Sequence, residues 1–334
     1  MVKSKIYLFQ KYFDGYPKKT DFKLVEKELP PIKDNEFLAE AAYFSIDPYM
    51  RSYSVRYPLG IPFVGSQVAK IIESKNPDFP VGKYVVANFD WKTYTVSDGK
   101  APEGHVFTQD PYLLPDIGNI RVSTGLGVLG MPGNTAYFGV TEILKPKQGD
   151  TVVISGAAGA VGSIAGQLCK LMGCKVVGIT GSKEKGKWLV EDLGFDTYIN
   201  YKSRNLDEAL KEVAPEGIDR YFDNVGGEIT FSVLKHMNHY GHTAVCGGIS
   251  GYNETDPQIP DLALLIVMKE LSIQGFHVHR WLDRWNEGIP NNLKLIQEGK
   301  LKYKETVFEG FENLYQAFLS MNKGEGIGKI VVKA

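Results

Sequence analysis

The amino-acid sequence predicts an α/β protein built on a doubly wound parallel sheet, with a second, β-rich domain. Three observations carry that reading. The run Thr151-Val-Val-Ile-Ser leads into glycines at 156, 159 and 162, and a helical pattern follows. From Thr151 to about residue 300, strand-like and helix-like runs alternate, the signature of a parallel sheet with crossover helices. From residue 1 to about 124, short apolar runs are instead broken by Pro-Pro, Asp-Pro and Pro-Val-Gly turns.

The strands of the parallel sheet are expected at 151–156, 175–181, 197–201, 218–224, 241–247 and 271–278. In the first crossover helix Val161, Ile164, Ala165, Leu168, Leu171 and Met172 recur at helical period and should face the sheet. Residues 205–213 repeat the pattern, with Leu206, Leu210 and Val213 on one face. In the β-rich part, 37–44, 67–73 and 84–89 read as strands. The last thirty residues return to strand-like and turn-like patterns, ending Lys329-Ile-Val-Val-Lys-Ala334. They are expected to rejoin the N-terminal domain, leaving an active-site cleft between two lobes. A length of 334 residues suits two domains.

The glycine turn is the first functional signal. A strand, a tight turn and a helix start place backbone N–H groups where a pyrophosphate can approach, and glycine leaves room for it. The spacing here is G-x-x-G-x-x-G, one residue longer than the common dinucleotide fingerprint. An NAD site usually carries an acid at the tip of the second strand to hold the ribose 2′-hydroxyl. Here that tip reads Thr180-Gly181-Ser182-Lys183-Glu184-Lys185, with Glu184 expected inside the next helix. Hydroxyls and cations suit a 2′-phosphate, so NADPH/NADP+ is the expected cofactor.

Composition excludes other classes. A net charge of −1 and a pI near 6.6 give no electrostatic case for nucleic acid or an anionic membrane. The longest purely apolar run, 262–268, is far too short to span a bilayer. The N-terminus lacks the apolar region of a secretory signal. Three cysteines, Cys169, Cys174 and Cys246, make an odd count that fits a reducing compartment. A cytoplasmic protein without membrane insertion is expected, in which the sequon Asn253-Glu254-Thr255 has no role.

Several segments together resemble one known family. They are Gly15-Tyr-Pro17, Asp47-Pro-Tyr-Met-Arg51, Gly130-Met-Pro-Gly-Asn-Thr-Ala-Tyr-Phe-Gly139 and Ala157-Ala-Gly-Ala-Val-Gly162. Asn200-Tyr-Lys202, Tyr221-Phe-Asp-Asn-Val-Gly-Gly227, Cys246-Gly-Gly-Ile-Ser-Gly-Tyr-Asn253 and Gly310-Phe-Glu-Asn313 extend the likeness end to end. The chain resembles the zinc-independent medium-chain dehydrogenases/reductases of the prostaglandin reductase branch. The resemblance implies a GroES-like catalytic domain over 1–124, completed by 304–334, and an NADP(H)-binding Rossmann domain over 125–303. It implies NADPH-dependent reduction of the C=C bond of α,β-unsaturated ketones or aldehydes, with lipid-derived enones or alkenals as small-molecule substrates. It also suggests a homodimer, joined through the exposed edge of the last nucleotide-domain strand near Phe276.

Carried over position by position, the resemblance implies cofactor contacts at Thr135, Gly159, Ala160, Val161, Gly162, Lys185, Tyr201 and Asn224. It implies further contacts at Cys246, Gly247, Gly248, Ile249, Ser250, Gly251 and Tyr252, and along Phe276, His277, Val278 and His279. Lys185 and Tyr201 would flank the 2′-phosphate. Two positions depart from the family pattern: Gly326 stands where an Asn is usual, and His277 and His279 replace apolar or tyrosine side chains.

No metal is expected. Zinc members of the superfamily use an N-terminal Cys and a Gly-His-Glu segment. Here no Cys precedes Cys169 and the matching segment reads Gly65-Ser66-Gln67. His105 stands alone in a Pro/Gly-rich loop, and His277 and His279 should alternate to opposite faces of a strand. Without zinc, the charge that develops on the substrate oxygen needs a hydroxyl donor. A tyrosine phenol, with a reference pKa near 10, stays protonated for that task. Tyr252 is the first candidate and Tyr49 the second, with Tyr49, Arg51 and Tyr252 facing the substrate. Arg51 could meet a substrate carboxylate or pair with Asp47. A quinone reductase using the same cofactor site, or a non-catalytic crystallin-like relative, stands as the alternative.

Overall fold

The structure, a computed structural model, describes residues 2–101, 109–254 and 261–334. His105 and Thr255 of the sequon lie outside the described residues. The chain forms two compact units, Met1–Gly127 with Glu305–Ala334, and Val128–Lys304. Among the described residues no helix is long and apolar enough to cross a membrane.

The first unit starts with an antiparallel ribbon of β1 (Lys3–Phe9) and β2 (Phe22–Glu28). β3 (Phe37–Ile46) follows, then the one-turn helix α1 (Tyr49–Ser52) and β4 (Gln67–Ser74). β5 (Tyr84–Ala87), β6 (Tyr94–Ser97) and β7 (Tyr112–Leu113) complete this portion. Along β4, Ala69 and Ile71 share one face and one buried cluster, Val68 is buried in another on the opposite face, and Lys70 and Ile72 are exposed.

The second unit opens with α2 (Met131–Phe138) and then alternates strand and helix. Its elements are β8 (Thr151–Ile154), α3 (Gly162–Leu171), β9 (Lys175–Thr180), α4 (Lys183–Lys187) and β10 (Thr197–Asn200). α5 (Leu206–Val213), β11 (Ile218–Asp223), α6 (Gly227–Lys235) and β12 (Met237–Val245) continue it. α7 (Ala263–Lys269), β13 (Ser272–Gly275) and α8 (Trp285–Gln297) close it. All six strands are parallel, in the order β10-β9-β8-β11-β12-β13. Counted within the unit this is 3-2-1-4-5-6, so the order reverses between β8 and β11. β8 and β9 are buried on both faces, which explains their unbroken Val/Ile runs.

The chain then returns to the first unit through β14 (Glu305–Glu309), α9 (Leu314–Asn322) and β15 (Lys329–Lys333). β15 pairs with β3 and with β14, completing a seven-stranded sheet. α9 corrects the strand-and-turn reading of the last thirty residues. Leu314, Ala317 and Phe318 are fully buried at helical spacing, in a cluster with Phe9, Phe63 and Trp91. Phe63 meets Trp91 edge-on at 4.8 Å between ring centroids.

Three further expectations change. Leu171 and Met172 do not face the sheet: they are 47% and 40% exposed, because α3 runs on past the strands that cover Ile164, Ala165 and Leu168. β12 begins four residues earlier than expected, at Met237. β13 ends at Gly275, so Phe276–His279 is not strand. Gly326 adopts φ +72°, and a Cβ there would meet Ile330 Cδ1 at 2.9 Å. The left-handed backbone accounts for glycine here; asparagine is the other residue that tolerates it.

Candidate active site

Ligands of such sheets bind beyond the strand C-termini where the order reverses, which here is the end of β8 and β11. After β8 the chain turns at Gly156 (φ +58°) and enters α3. A Cβ on Gly162 would meet the Gly156 carbonyl oxygen at 2.6 Å, so this glycine lets the turn pack against itself. Gly159 is exposed, and Ala160 and Val161 are half-buried. The Ser163 N–H is the first to bond back, to the Gly159 carbonyl at 3.1 Å. The amides of Ala160, Val161 and Gly162 are therefore the donors a helix start leaves over.

The end of β11 holds a residue that sequence reasoning did not single out, the buried carboxylate of Asp223. Its Oδ1 accepts from the Ser155 hydroxyl and the Tyr221 phenol, both at 2.9 Å. The same oxygen accepts from the N–H groups of Val225 (2.9 Å) and Gly226 (3.0 Å), and Oδ2 accepts from Thr230 Oγ1 at 2.5 Å. Burial, followed by the Asp223 charge, pushes the Tyr221 phenol well above its ordinary value. The Asp223 carbonyl takes the N–H groups of Cys246 and Gly247. Asn224 closes the set, donating Nδ2 to the Ser155 carbonyl at 2.8 Å. The Asp223 carboxylate thus ties together the loops after β8 and β11, and its backbone carbonyl holds the start of the loop after β12. The signal for it was present: an acid ending the otherwise apolar Tyr221-Phe222-Asp223.

The loop after β12 carries Cys246 through Tyr252. Ser250 donates to the Val225 carbonyl at 2.7 Å, which fastens this loop to the one after β11. The Gly248 N–H donates to the Tyr252 phenol oxygen at 3.4 Å, and Tyr252 is half-buried. A phenol that accepts a backbone N–H keeps its own proton for another acceptor. A Cβ on Gly248 would meet nothing within 4 Å, so open space adjoins this turn. The Cys246 thiol is pushed up to about 12 by burial and then by Asp223, so it is no nucleophile. Thr135 is buried on α2 and donates to the Met131 carbonyl at 2.7 Å, leaving its oxygen free only to accept.

Beyond β13, the histidines do not point to opposite faces as a strand would require. His277 caps a 3₁₀ turn that begins at Val278, and the turn swings His279 back onto it. The rings stack with centroids 4.6 Å apart, and the two Nδ1 atoms are 3.0 Å apart.

At the end of β9, Ser182 caps α4 by accepting the Lys185 N–H at 3.2 Å. Lys185 is half-buried and Tyr201 is 41% exposed. A Cβ on Gly181 would meet Lys202 Cε at 3.2 Å and the Tyr201 hydroxyl at 3.3 Å. Ser182, Lys185, Tyr201 and Lys202 therefore gather around one backbone turn. Lys202 was not among the expected contacts, although it stands in the Asn200-Tyr-Lys segment.

In the first unit, Tyr49 opens α1 with its hydroxyl 3.5 Å from Ser66 Oγ, and Ser66 donates to Asn88 Oδ1 at 2.6 Å. Burial first, then Asp47, hold the Tyr49 phenol well above its ordinary value. Asp47 is paired with Lys329 Nζ at 2.5 Å, both fully enclosed, and accepts the Ser45 hydroxyl. Arg51 donates to the Gly15 carbonyl at 3.2 Å and lies 5.2 Å over the Phe13 ring. Burial lowers the Arg51 pKa, and the carboxylate that opposes this is Asp21. The Asp47 charge is thus taken up by Lys329.

Residues 5–104 match a family described as the N-terminal domain of oxidoreductase, and residues 160–297 one described as zinc-binding dehydrogenase. Prostaglandin reductase 1 of Bos taurus is 48% identical over 337 residues, covering all of both chains. The chain belongs to the medium-chain dehydrogenase/reductase family, among the prostaglandin reductases. NADPH-dependent curcumin reductase of Escherichia coli is 35% identical, covering 96% of this chain and 93% of the relative. CurA from Vibrio vulnificus in complex with NADPH superposes with a TM-score of 0.89 at 34% identity, covering 99% of each chain.

This reductase does not fit the zinc that one family description names. At Gly65-Ser66-Gln67, the Gln67 carboxamide is buried and donates to the carbonyls of Phe89 (3.4 Å), Asp90 and Lys92 (2.9 Å). The segment thus offers neither the imidazole nor the carboxylate that the zinc members' Gly-His-Glu segment supplies. All three thiols lie in the other unit and are held protonated by burial. Among the described residues no three His, Cys, Asp or Glu side chains gather as a metal-holding group.

Proposed function

We propose that this chain is an NADPH-dependent, zinc-independent reductase of α,β-unsaturated ketones and aldehydes, acting on lipid-derived enones or alkenals in the cytoplasm. The observation that carries the reading is the full-length likeness to the bovine prostaglandin reductase. NADPH, when bound, supplies the hydride for the substrate β-carbon. The residues present fit it: the amides of Ala160, Val161 and Gly162 would hold its pyrophosphate, and Ser182, Lys185, Tyr201 and Lys202 would hold the 2′-phosphate. Asn224, Thr135, the 246–252 loop and the backbone of Phe276–His279 hold the remainder, with Thr135 able only to accept. Tyr252 donates a hydrogen bond to the substrate oxygen as negative charge develops there, and Tyr49 is the second candidate for that role. Arg51 and Tyr49 border the substrate. Quinone reductases that share the fold at 18–20% identity show the fold alone, so they add nothing to the quinone alternative.

The phosphate contacts test the cofactor assignment. A charge-assisted contact of about 1.5–3 kcal/mol corresponds to roughly tenfold or more in affinity. Lys185→Ala and Lys202→Ala are each expected to weaken NADPH by at least about tenfold while leaving NADH within about twofold. Isothermal titration with both cofactors checks this. Equal losses for the two would show that the lysines act on structure.

A homodimer is the proposed assembly. Among the described residues β13 ends the sheet, with all four of its residues exposed and no strand on its outer side. Beside it, α7 presents Leu264 and Val267, each 70% exposed, and Met268 at 64%. Sedimentation is expected to give a dimer for the native chain and a monomer for Val267→Glu combined with Ile273→Lys. An unchanged sedimentation coefficient would place the contact elsewhere.

A further inference from the structure

We infer that His277 and His279 form a two-imidazole site for a divalent transition metal of tetragonal preference, Cu(II) first. Its two ligands are not the residues at the family's zinc-ligand segment, which reads Gly65-Ser66-Gln67 here.

The geometry comes from the backbone. His277 is extended (φ −126°, ψ 130°), and the chain turns helical directly after it, bringing the i and i+2 side chains to one side. Val278 between them is buried and anchors the turn, and the Trp285 ring backs His279 at 6.3 Å. The open side is that of His277, which is exposed and gives an ion access from solvent.

The spacing of the donors selects the metal. Metal–imidazole bonds are about 2.0–2.1 Å, so two nitrogens 3.0 Å apart subtend roughly 90–95° at a shared ion. A tetrahedral ion would need the nitrogens about 3.3–3.4 Å apart at the same bond length. A right angle is the cis arrangement of square-planar or tetragonal Cu(II) and Ni(II), and Cu(II) leads the affinity order for nitrogen ligands. Of the three thiols, Cys169 and Cys174 are buried and Cys246 is half-buried. Water completes the coordination, since no third His, Cys, Asp or Glu joins the pair among the described residues.

Titration of Cu(II) into the chelator-treated full-length protein, followed by calorimetry and electron paramagnetic resonance, tests the site. One equivalent is expected to bind saturably, with nitrogen couplings from two imidazoles. Loss of an outer-sphere partner alone typically costs about 10- to 100-fold in metal affinity, so His277→Gln should weaken Cu(II) by at least about tenfold. His279→Gln is expected to do the same. His277 is exposed, so its variant keeps the fold, which a thermal melt confirms. Absence of saturable binding overturns the inference, as does undiminished affinity in His277→Gln or a spectrum lacking imidazole couplings. Competition between Cu(II) and NADPH would rest additionally on the proposed function; the titration does not.

Discussion

Asp223→Ala is expected to lower the melting temperature by about 6–12 °C and to weaken NADPH binding, although Asp223 is not proposed to touch the cofactor. The carboxylate accepts five hydrogen bonds, from Ser155, Tyr221, Val225, Gly226 and Thr230. Alanine would leave three hydroxyls and two amides facing a buried gap. Each buried unsatisfied group costs about 1–3 kcal/mol, and hydroxyls can rotate toward other acceptors, so about 3 kcal/mol is a conservative total. A unit of this size shifts by about 2–4 °C per kcal/mol, which gives the stated range. The effect on NADPH follows from position, because the same carboxylate atoms fix the loops after β8 and β11. Asp223→Asn keeps one acceptor oxygen but turns an NH₂ toward the donors, so it should fall between alanine and the native chain. Calorimetry with and without NADPH checks both. A shift below about 2 °C for alanine would show that water replaces the carboxylate and that the loops hold without it.

Much of the fold was legible because burial writes itself into the sequence with a period. The Val/Ile runs of β8 and β9 and the Leu206/Leu210/Val213 stripe of α5 each record a face turned to the core, Leu210 fully buried and Leu206 and Val213 partly so. α9 was readable by the same rule, through Leu314, Ala317 and Phe318, yet its short span between Gly310 and Gly324 disguised it as turn. Strand ends were harder, since hydrogen bonding to a neighbour decides them. β13 stops at Gly275 because the chain leaves β12 there, and nothing in Phe276-His277-Val278-His279 announces that departure. That one boundary reversed the reading of the histidines, from opposite faces to a stacked pair. At the candidate site, local signals single out the glycine turn and Lys185, which lie within a few residues of a strand end. Asp223 and Lys202 needed the third dimension, because what they touch includes Ser155, 68 residues before Asp223, and Gly181, on another strand end.

Tyr252→Phe is expected to cost at least about tenfold in kcat on an enone, with NADPH affinity changed by less than about threefold. Loss of one donor aimed at a developing oxyanion typically costs about 10²–10³ in kcat. The lower bound allows for a second donor, such as a cofactor hydroxyl or the Tyr49 phenol. The structure adds a reason for the phenol to be ready. The Gly248 N–H points at its oxygen from 3.4 Å, which orients the ring and favours negative charge on that oxygen as its proton is shared. Phenylalanine keeps the ring and its packing, so the melting temperature should stay near that of the native chain, in contrast to Asp223→Ala. That contrast separates a group acting on the reaction from one acting through the scaffold. A loss in kcat/KM equal to that in kcat would mark an interaction made only in the transition state. Single-turnover hydride transfer at saturating enone is the deciding measurement, because it excludes product release. A native rate there would remove Tyr252 from the chemical step and pass the role to Tyr49, water or the cofactor ribose.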